Sequence, residues 1–323
     1  MTRMPPQQRR PPHHQRGAAL LTAMIIVTLV ATLAAAMVWQ QWRAVQVESA
    51  ERARTQAAWI LSGALDFARL ILKEDLRSGK VTALTEPWAT PLAEARLSTF
   101  LAVDKSNADD GPEAFLSGNI TDAQGRYNLA NLVAQGKVDP LELATLERLC
   151  QTVGIETGVA TRIAEGLRDA MATTTATTGT GTAPLQPKTV AQLTWLGVNA
   201  ASVQALQPYV VLLPVATPVN VNTASREVLA AAIKGLDLAT AERLVQVRQR
   251  TPFKDMPAFT AQVAALAPLT AKLGVRSSYF EVRGRLRLVD RVLVERSLVQ
   301  RLPSGQVNVL QRERVASLEQ LGT

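Results

Sequence analysis

The sequence is poor in the residues that most enzyme chemistry uses. Of its 323 residues, one is cysteine and two are histidine. A single cysteine, Cys150, excludes an intrachain disulfide, and the bland expectation for it is a small buried hydrophobe. The histidines are His13 and His14, so the body of the chain has no imidazole for a Ser-His-Asp triad or a His/Cys zinc site. Carboxylate-only and lysine chemistry are the catalytic classes left open. Aromatics make up only 4% against 47% hydrophobic residues, so leucine, valine and alanine must fill the core. Acidic residues are missing from the first 17 positions, which hold Arg3, Arg9, Arg10 and Arg16. These four arginines carry half of the net charge of +8. The remainder is mildly basic and argues against a large nucleic-acid surface.

Immediately after the basic stretch comes a long charge-free run. Gly17 to Trp42 reads GAALLTAMIIVTLVATLAAAMVWQQW. About 20 apolar residues at ~1.5 Å rise cross a bilayer core, and Ala18 to Trp39 meet that length. Trp39 and Trp42 fall at the far end, where amphipathic rings settle at the lipid interface. The arginines on the near side predict a cytoplasmic N-terminus, with the body on the other side of the inner membrane. Three readings of this segment compete. A cleaved secretory signal would use the LAAAM stretch as its site, and an uncleaved signal anchor would simply remain. The third starts from R-G-A-A-L-L, a basic leader, a glycine and an unbroken apolar helix.

R-G-A-A-L-L resembles the class III signal of type IV pilins and pseudopilins. The resemblance implies that a membrane aspartic peptidase, the prepilin peptidase, cuts between Gly17 and Ala18 and methylates the new N-terminus. The apolar helix is then retained. Pilins usually carry glutamate at the fifth mature position, where it meets a neighbour's free amine inside the fibre. Here that position is Thr22. A buried carboxylate without a partner is costly, and a subunit with no neighbour above it has little use for one. K-type pseudopilins of type II secretion systems lack this glutamate as a class, so Thr22 points to a filament tip.

Periodicity organises the rest. Ala57, Ala58, Leu61, Leu65, Ala68 and Leu72 keep helical spacing over residues 43–80, with Gly79 as a stop. Residues 81–115 read as loop and short helix. A strand and a D-A-Q-G turn come next within Ser117 to Leu132. Helical patterns run over Pro140 to Val153, Glu156 to Met171 and Thr189 to Leu206, with a low-complexity loop at Ala172 to Thr182. V-N-V-N-T-A-S-R-E-V-L, Val219 to Leu229, predicts a helix start capped by Asn222 or Thr223, and helices are expected to about Lys272. After Gly274 the period becomes two. Phe280, Val282, Leu286 and Leu288 alternate with Glu281, Arg283, Arg285 and Arg287, which predicts a half-buried strand with a solvated arginine face. Val292 to Val299 and Gln306 to Gln311 come after it as strands around a turn at Pro303, Ser304 and Gly305.

The expected class is α+β: a pilin-like fold, a long N-terminal helix with an antiparallel sheet, carrying a large inserted all-α domain with SAM-like or helix-hairpin-helix-like units. The expected division is leader 1–17, transmembrane helix 18–39, pilin-like helix and first strand 40–130, helical insertion 131–272 and closing strands 273–323. R-G-A-A-L-L, Y-N-L-A-N-L and V-N-V-N-T-A are the pieces most similar to K-type pseudopilins. The resemblance implies a non-enzymatic subunit that caps the pseudopilus tip. It implies I- and J-type minor pseudopilins, the major pseudopilin, the peptidase and the inner membrane as partners, and no nucleic acid.

Val219 onward also resembles a helix-hairpin-helix unit, so a membrane-anchored DNA-uptake protein is an alternative; a minor pilin of a type IV pilus is another. In DNA-binding hairpins a Gly-hydrophobic-Gly turn offers backbone N–H groups to phosphate. Here the turn is Gly235, Leu236, Asp237, and the carboxylate would repel phosphate. No cofactor is expected, with calcium at Asp104 to Gly111 left open against a solvated loop. Relatives hold calcium in an acidic loop, but Asp169 to Lys188 has no acid after Asp169. Asp104 to Gly111 is acidic yet out of register for an EF-hand, with Ala108 at a ligand position and Asp109 where glycine is needed.

Overall fold

A computed structural model describes residues 15–79, 81–97, 114–175, 185–263, 272–288 and 291–315. The chain divides into two units, Met1–Trp59 and Ile60–Thr323. Helix α1, Gln15–Ser78, begins in the first and ends in the second. It stops one residue before Gly79, whose N–H donates to the Asp75 carbonyl. In the first unit the side chains from Leu20 to Trp42 are exposed.

In the second unit a five-stranded antiparallel sheet runs, edge to edge, Leu92–Arg96, Ala114–Asp122, Tyr279–Leu288, Arg291–Arg301 and Val307–Val315. Strands β1, Leu92–Arg96, and β2, Ala114–Asp122, come before the insertion. β1 corrects the expectation of loop and short helix over 81–115. Its sequence, LAEAR, is too short and alanine-rich to show a period of two; pairing of Leu92 with Gly118 and Arg96 with Phe115 makes it a strand. The short helix exists as a 3₁₀ turn, Pro87–Ala89.

Short ladder pieces lead into the insertion: β3 (Tyr127–Asn128) just before residue 131, then β4 (Val133–Ala134) and β5 (Lys137–Val138) within it. Helices α2, Pro140–Thr152, and α3, Gly158–Thr175, come next as the periodicity predicts. α3 takes in the first residues of the expected loop at Ala172 to Thr182, and the rest of that loop lies outside the described residues. Residues 190–196 form a 3₁₀ helix closed by Gly197 at φ +78°, so the Thr189 to Leu206 block is broken there and resumes as α4, Ala200–Leu206. Beyond α4 lie β6 (Val210–Val211), β7 (Val219–Asn220), α5 (Arg226–Ala232), α6 (Leu238–Arg250), α7 (Met256–Thr260) and β8 (Leu273–Gly274). The insertion is therefore not purely α: β3 pairs in parallel with β6, and β7 with β8. Two-residue bridges carry no periodicity to read. The cap of α5 is Ser225, which accepts from the Val228 N–H at 3.3 Å. Asn222 and Thr223 are not its caps, because both side chains are turned inward to other partners.

The last three strands are β9 (Tyr279–Leu288), β10 (Arg291–Arg301) and β11 (Val307–Val315). β9 buries Phe280, Val282, Leu286 and Leu288 as its alternation predicts. On its other face Arg287 donates to Glu94 at 2.7 Å and lies 4.0 Å over the Phe115 ring, while Arg285 reaches the same carboxylate at 3.4 Å. The arginine face is thus partly covered by β1.

The sheet and the last turns of α1 share one core: Leu65, Ala68, Leu72, Trp88, Ile120, Phe280, Val282, Val299 and Val307. Trp88 meets Phe280 edge-on at 5.3 Å. Glycines let helix and strands approach. Gly118 pairs with Gly284 across β2 and β9, and a Cβ on Gly284 would stand 3.2 Å from Leu61 Cδ2. A second core fills the insertion, built from Leu129, Leu132, Leu146, Leu149, Ile163, Leu193, Val228, Leu229, Phe259 and their neighbours. Ala123, Val211, Leu213 and Tyr279 pack where the two parts meet.

Candidate assembly site

Gly17 and Ala18 lie in the first turn of α1, in a helix long and apolar enough to cross a membrane. Thr22 sits one turn on. Its hydroxyl donates to the carbonyls of Ala18 at 2.9 Å and Ala19 at 3.0 Å. Thr28 does the same toward Met24 and Ile25, and Thr32 toward Leu29. Each hydroxyl is satisfied within its own helix, which removes most of the cost of a polar side chain among apolar ones. Thr22 therefore offers a neighbour neither charge nor a spare donor.

Y-N-L-A-N-L and V-N-V-N-T-A prove to be folding devices. Asn128 donates to the Val215 carbonyl at 2.8 Å and accepts from the Leu213 N–H at 3.1 Å. Asn131 exchanges two hydrogen bonds with the backbone of Thr217, and Asn222 exchanges two with Phe253. Each asparagine amide imitates a peptide group and satisfies backbone that no helix or sheet reaches. Tyr127 is buried, and its hydroxyl lies 3.0 Å from both the carbonyl and the carboxylate of Glu142. Burial first, then that carboxylate, raises its pKa well above the ordinary value.

Asn220 belongs to a larger network that the sequence did not reveal. Its amide donates to the Thr82 carbonyl and to Asp122 Oδ2, both at 2.9 Å. Asp122 also accepts from Ser277 Oγ and Thr223 Oγ1, each at 2.6 Å, and from the Gln124 N–H at 2.8 Å. Burial raises the Asp122 pKa, and these donors oppose the rise. Beside it, Arg301 at the end of β10 pairs with Asp75 near the end of α1 at 2.5 Å. It also donates to Thr82 Oγ1 and to the Ser277 carbonyl, both at 3.0 Å, and lies over the Phe280 ring at 4.7 Å. One polar hub thus ties α1, β2, the insertion and β10 together. The D-A-Q-G stretch that begins at Asp122 reads as a turn, and nothing local marks Asp75 or Arg301 as buried.

At the hairpin, Gly235 takes φ +85° and Leu236 is buried, its N–H donated to the Ile233 carbonyl. Asp237 caps α6, accepting from Thr240 N at 2.8 Å and Thr240 Oγ1 at 2.9 Å, which lowers its pKa. Buried Arg248 donates to the carbonyls of Val221 and Ala224, bracing the same unit. Cys150 is buried in the insertion core, and burial pushes its thiol pKa up to about 11. Among the described residues no cluster of three or more His, Cys, Asp or Glu is placed to hold a metal ion. Asp104 to Gly111 lies outside the described residues. Asp169 is paired with its neighbour Arg168.

Family models agree with the two motifs. Residues 125–215 and 219–277 each match a model described as type II secretion system (T2SS), protein K. The first match opens just before Tyr127, and the second opens at Val219. The type II secretion system protein K of Pseudomonas aeruginosa is 30% identical over 309 residues, which cover 88% of each chain. This chain belongs to the type II secretion system protein K family. It is a minor pseudopilin. Family members are structural subunits of the secretion machinery, and the apolar N-terminal helix, the one such helix among the described residues, fits a membrane anchor. The fold has a solved counterpart in the crystal structure of the GspK-GspI-GspJ complex from the enterotoxigenic Escherichia coli type 2 secretion system. The TM-score is 0.66 at 21% identity, over 83% of this chain and 99% of that one. That fold is pilin-like, with a helical domain inserted between the long helix and the closing strands.

Proposed function

We propose that this minor pseudopilin caps the pseudopilus tip and helps to start its assembly for protein export across the outer membrane, and that it performs no chemistry of its own. In this reading residues 1–17 are a cytoplasmic leader and 18–39 span the inner membrane once, leaving the body in the periplasm. Prepilin peptidase cuts between Gly17 and Ala18. I- and J-type minor pseudopilins join beside the anchor, and the major pseudopilin extends the shaft below. The protein K in the E. coli complex, which is solved together with GspI and GspJ, supports the choice of partners. The bulk of the insertion, residues 131–272 in this division, suits an end position better than repetition along a shaft. The capped, carboxylate-bearing hairpin at Asp237 supports a packing role for the insertion and not a nucleic-acid one.

The observation that carries the tip reading is Thr22, a self-satisfied hydroxyl where shaft subunits carry a carboxylate. The experiment replaces it. Thr22→Val should leave secretion intact. Thr22→Glu places a carboxyl in an apolar setting at a cost of several kcal/mol, reduced if it protonates, and should leave secretion unchanged or lower. If Thr22→Glu improved assembly, or if labelling found the subunit along the whole filament, the tip reading would be abandoned.

A further inference from the structure

The exposed part of α1 pairs its arginines with acids one turn earlier. Arg52 lies 2.5 Å from Glu48, Arg54 4.0 Å from Glu51, Arg69 2.7 Å from Asp66 and Arg77 3.3 Å from Glu74. Arg43 breaks this pattern. The first acid in the whole sequence is Glu48, five positions beyond it, and among the described residues no carboxylate pairs with Arg43. Its guanidinium lies instead over the Trp39 ring, 5.0 Å from the centroid. Stacking on an indole leaves the N–H fork of an arginine free, and that fork matches a phosphate in two-point geometry.

Position along the helix says where the anion comes from. Arg43 is the first charge after the apolar run, and Arg16, the last before it, stands 27 residues earlier. At ~1.5 Å per residue the two are about 40 Å apart along the axis, the thickness of a bilayer measured across its headgroups. Trp39 and Trp42 occupy the depth where indoles settle. We infer that Trp39 and Arg43 form a clamp for the phosphodiester of a lipid headgroup in the periplasmic leaflet, which fixes how deep the anchor sits. The inference rests on the membrane-spanning reading above. When the leader is removed, Arg16 goes with it; the new amine at Ala18 then marks the cytoplasmic end of the span, and Arg43 is the first charge at its periplasmic end.

The test uses the full chain in vesicles, with Cys150→Ala and a reporter cysteine at position 45 (Val45→Cys). The readout is the rate of labelling by an impermeant maleimide. In phosphatidylethanolamine/phosphatidylglycerol vesicles the reporter should react readily. Arg43→Gln should let the helix sink, since Val45 and Val47 are apolar, and slow labelling about fivefold, the effect of one interfacial cation contact. Arg43→Lys and Trp39→Leu should fall between. In galactolipid vesicles, which lack phosphodiesters, the unsubstituted Arg43 chain should label as slowly as Arg43→Gln, and inorganic phosphate should not restore the rate. Equal rates for the Arg43 chain and its Arg43→Gln variant, or for the two lipid classes, would overturn the clamp while leaving the anchor standing. Release of the Arg43 chain from vesicles by alkaline carbonate would instead overturn the anchor.

Discussion

Arg301 and Asp75 form an ion pair at 2.5 Å with side chains only 4% and 5% exposed, joining the end of β10 to the last turns of α1. A buried pair adds little net stability against an apolar replacement, but losing one member strands the other charge. In denaturant unfolding of a soluble chain lacking residues 1–42, Asp75→Asn or Arg301→Met alone should cost about 3–5 kcal/mol. The double variant should cost clearly less than the two single losses added together. Additive losses would mean that the pair is not coupled.

The neighbouring carboxylate gives a pH signature. Asp122 has a raised pKa in the fold, whereas in the unfolded chain it titrates near the ordinary value. As pH rises past that ordinary value the unfolded chain loses its proton first. The stability contributed by protonated Asp122 is therefore fullest below the unfolded pKa. It falls until the folded group also ionises, and is flat beyond. Asp122→Asn should remove this falling component. It should also destabilise at every pH, because the new amide would face donors from Ser277, Thr223 and Asn220. Stability measured across the acidic range for both proteins checks the sign: the difference between them should be largest at the lowest pH.

Much of this was legible in the sequence for a physical reason. A membrane run, a helical stripe such as Leu61, Leu65 and Leu72, and the alternation from Phe280 to Leu288 each repeat one environment many times. Single events were not legible. Five residues become β1 because β2 offers an edge, and Asn222 turns toward Phe253 instead of capping α5. The hub of Asp75, Asp122 and Arg301 joins positions up to 226 residues apart, so no window along the chain contains it. Thr22 stood out only against the pilin pattern, and its own hydrogen bonds came from the structure.

The paired glycines make a packing prediction. A Cβ at Gly118 would stand 2.5 Å from the Arg283 carbonyl oxygen, whereas one at Gly284 would meet the Leu61 side chain at 3.2 Å. Backbone cannot yield as a leucine rotamer can. Gly118→Ala should therefore cost more than Gly284→Ala, the former in the range of about 1–3 kcal/mol typical of overpacking. Thermal unfolding of the soluble chain orders them, and the reverse order would mean that β9 shifts more easily than α1.

Processing is the remaining prediction. By its resemblance to pilin leaders, R-G-A-A-L-L would put the peptidase cut between Gly17 and Ala18, after the fourth arginine and before the first leucine of the apolar run. The mature chain would then begin at the residue whose carbonyl receives the Thr22 hydroxyl, so the span enters a filament intact. Mass spectrometry of the membrane fraction should find an N-terminus at Ala18 carrying one methyl group. If Gly17 is required at the cut for its lack of a side chain, a bulky replacement such as Gly17→Leu should leave full-length precursor in the membrane and stop secretion without changing the fold of the body. An N-terminus near residue 36 would instead show ordinary signal cleavage within LAAAM. That would discard most of the apolar run, and with it the membrane anchor on which the proposed assembly depends.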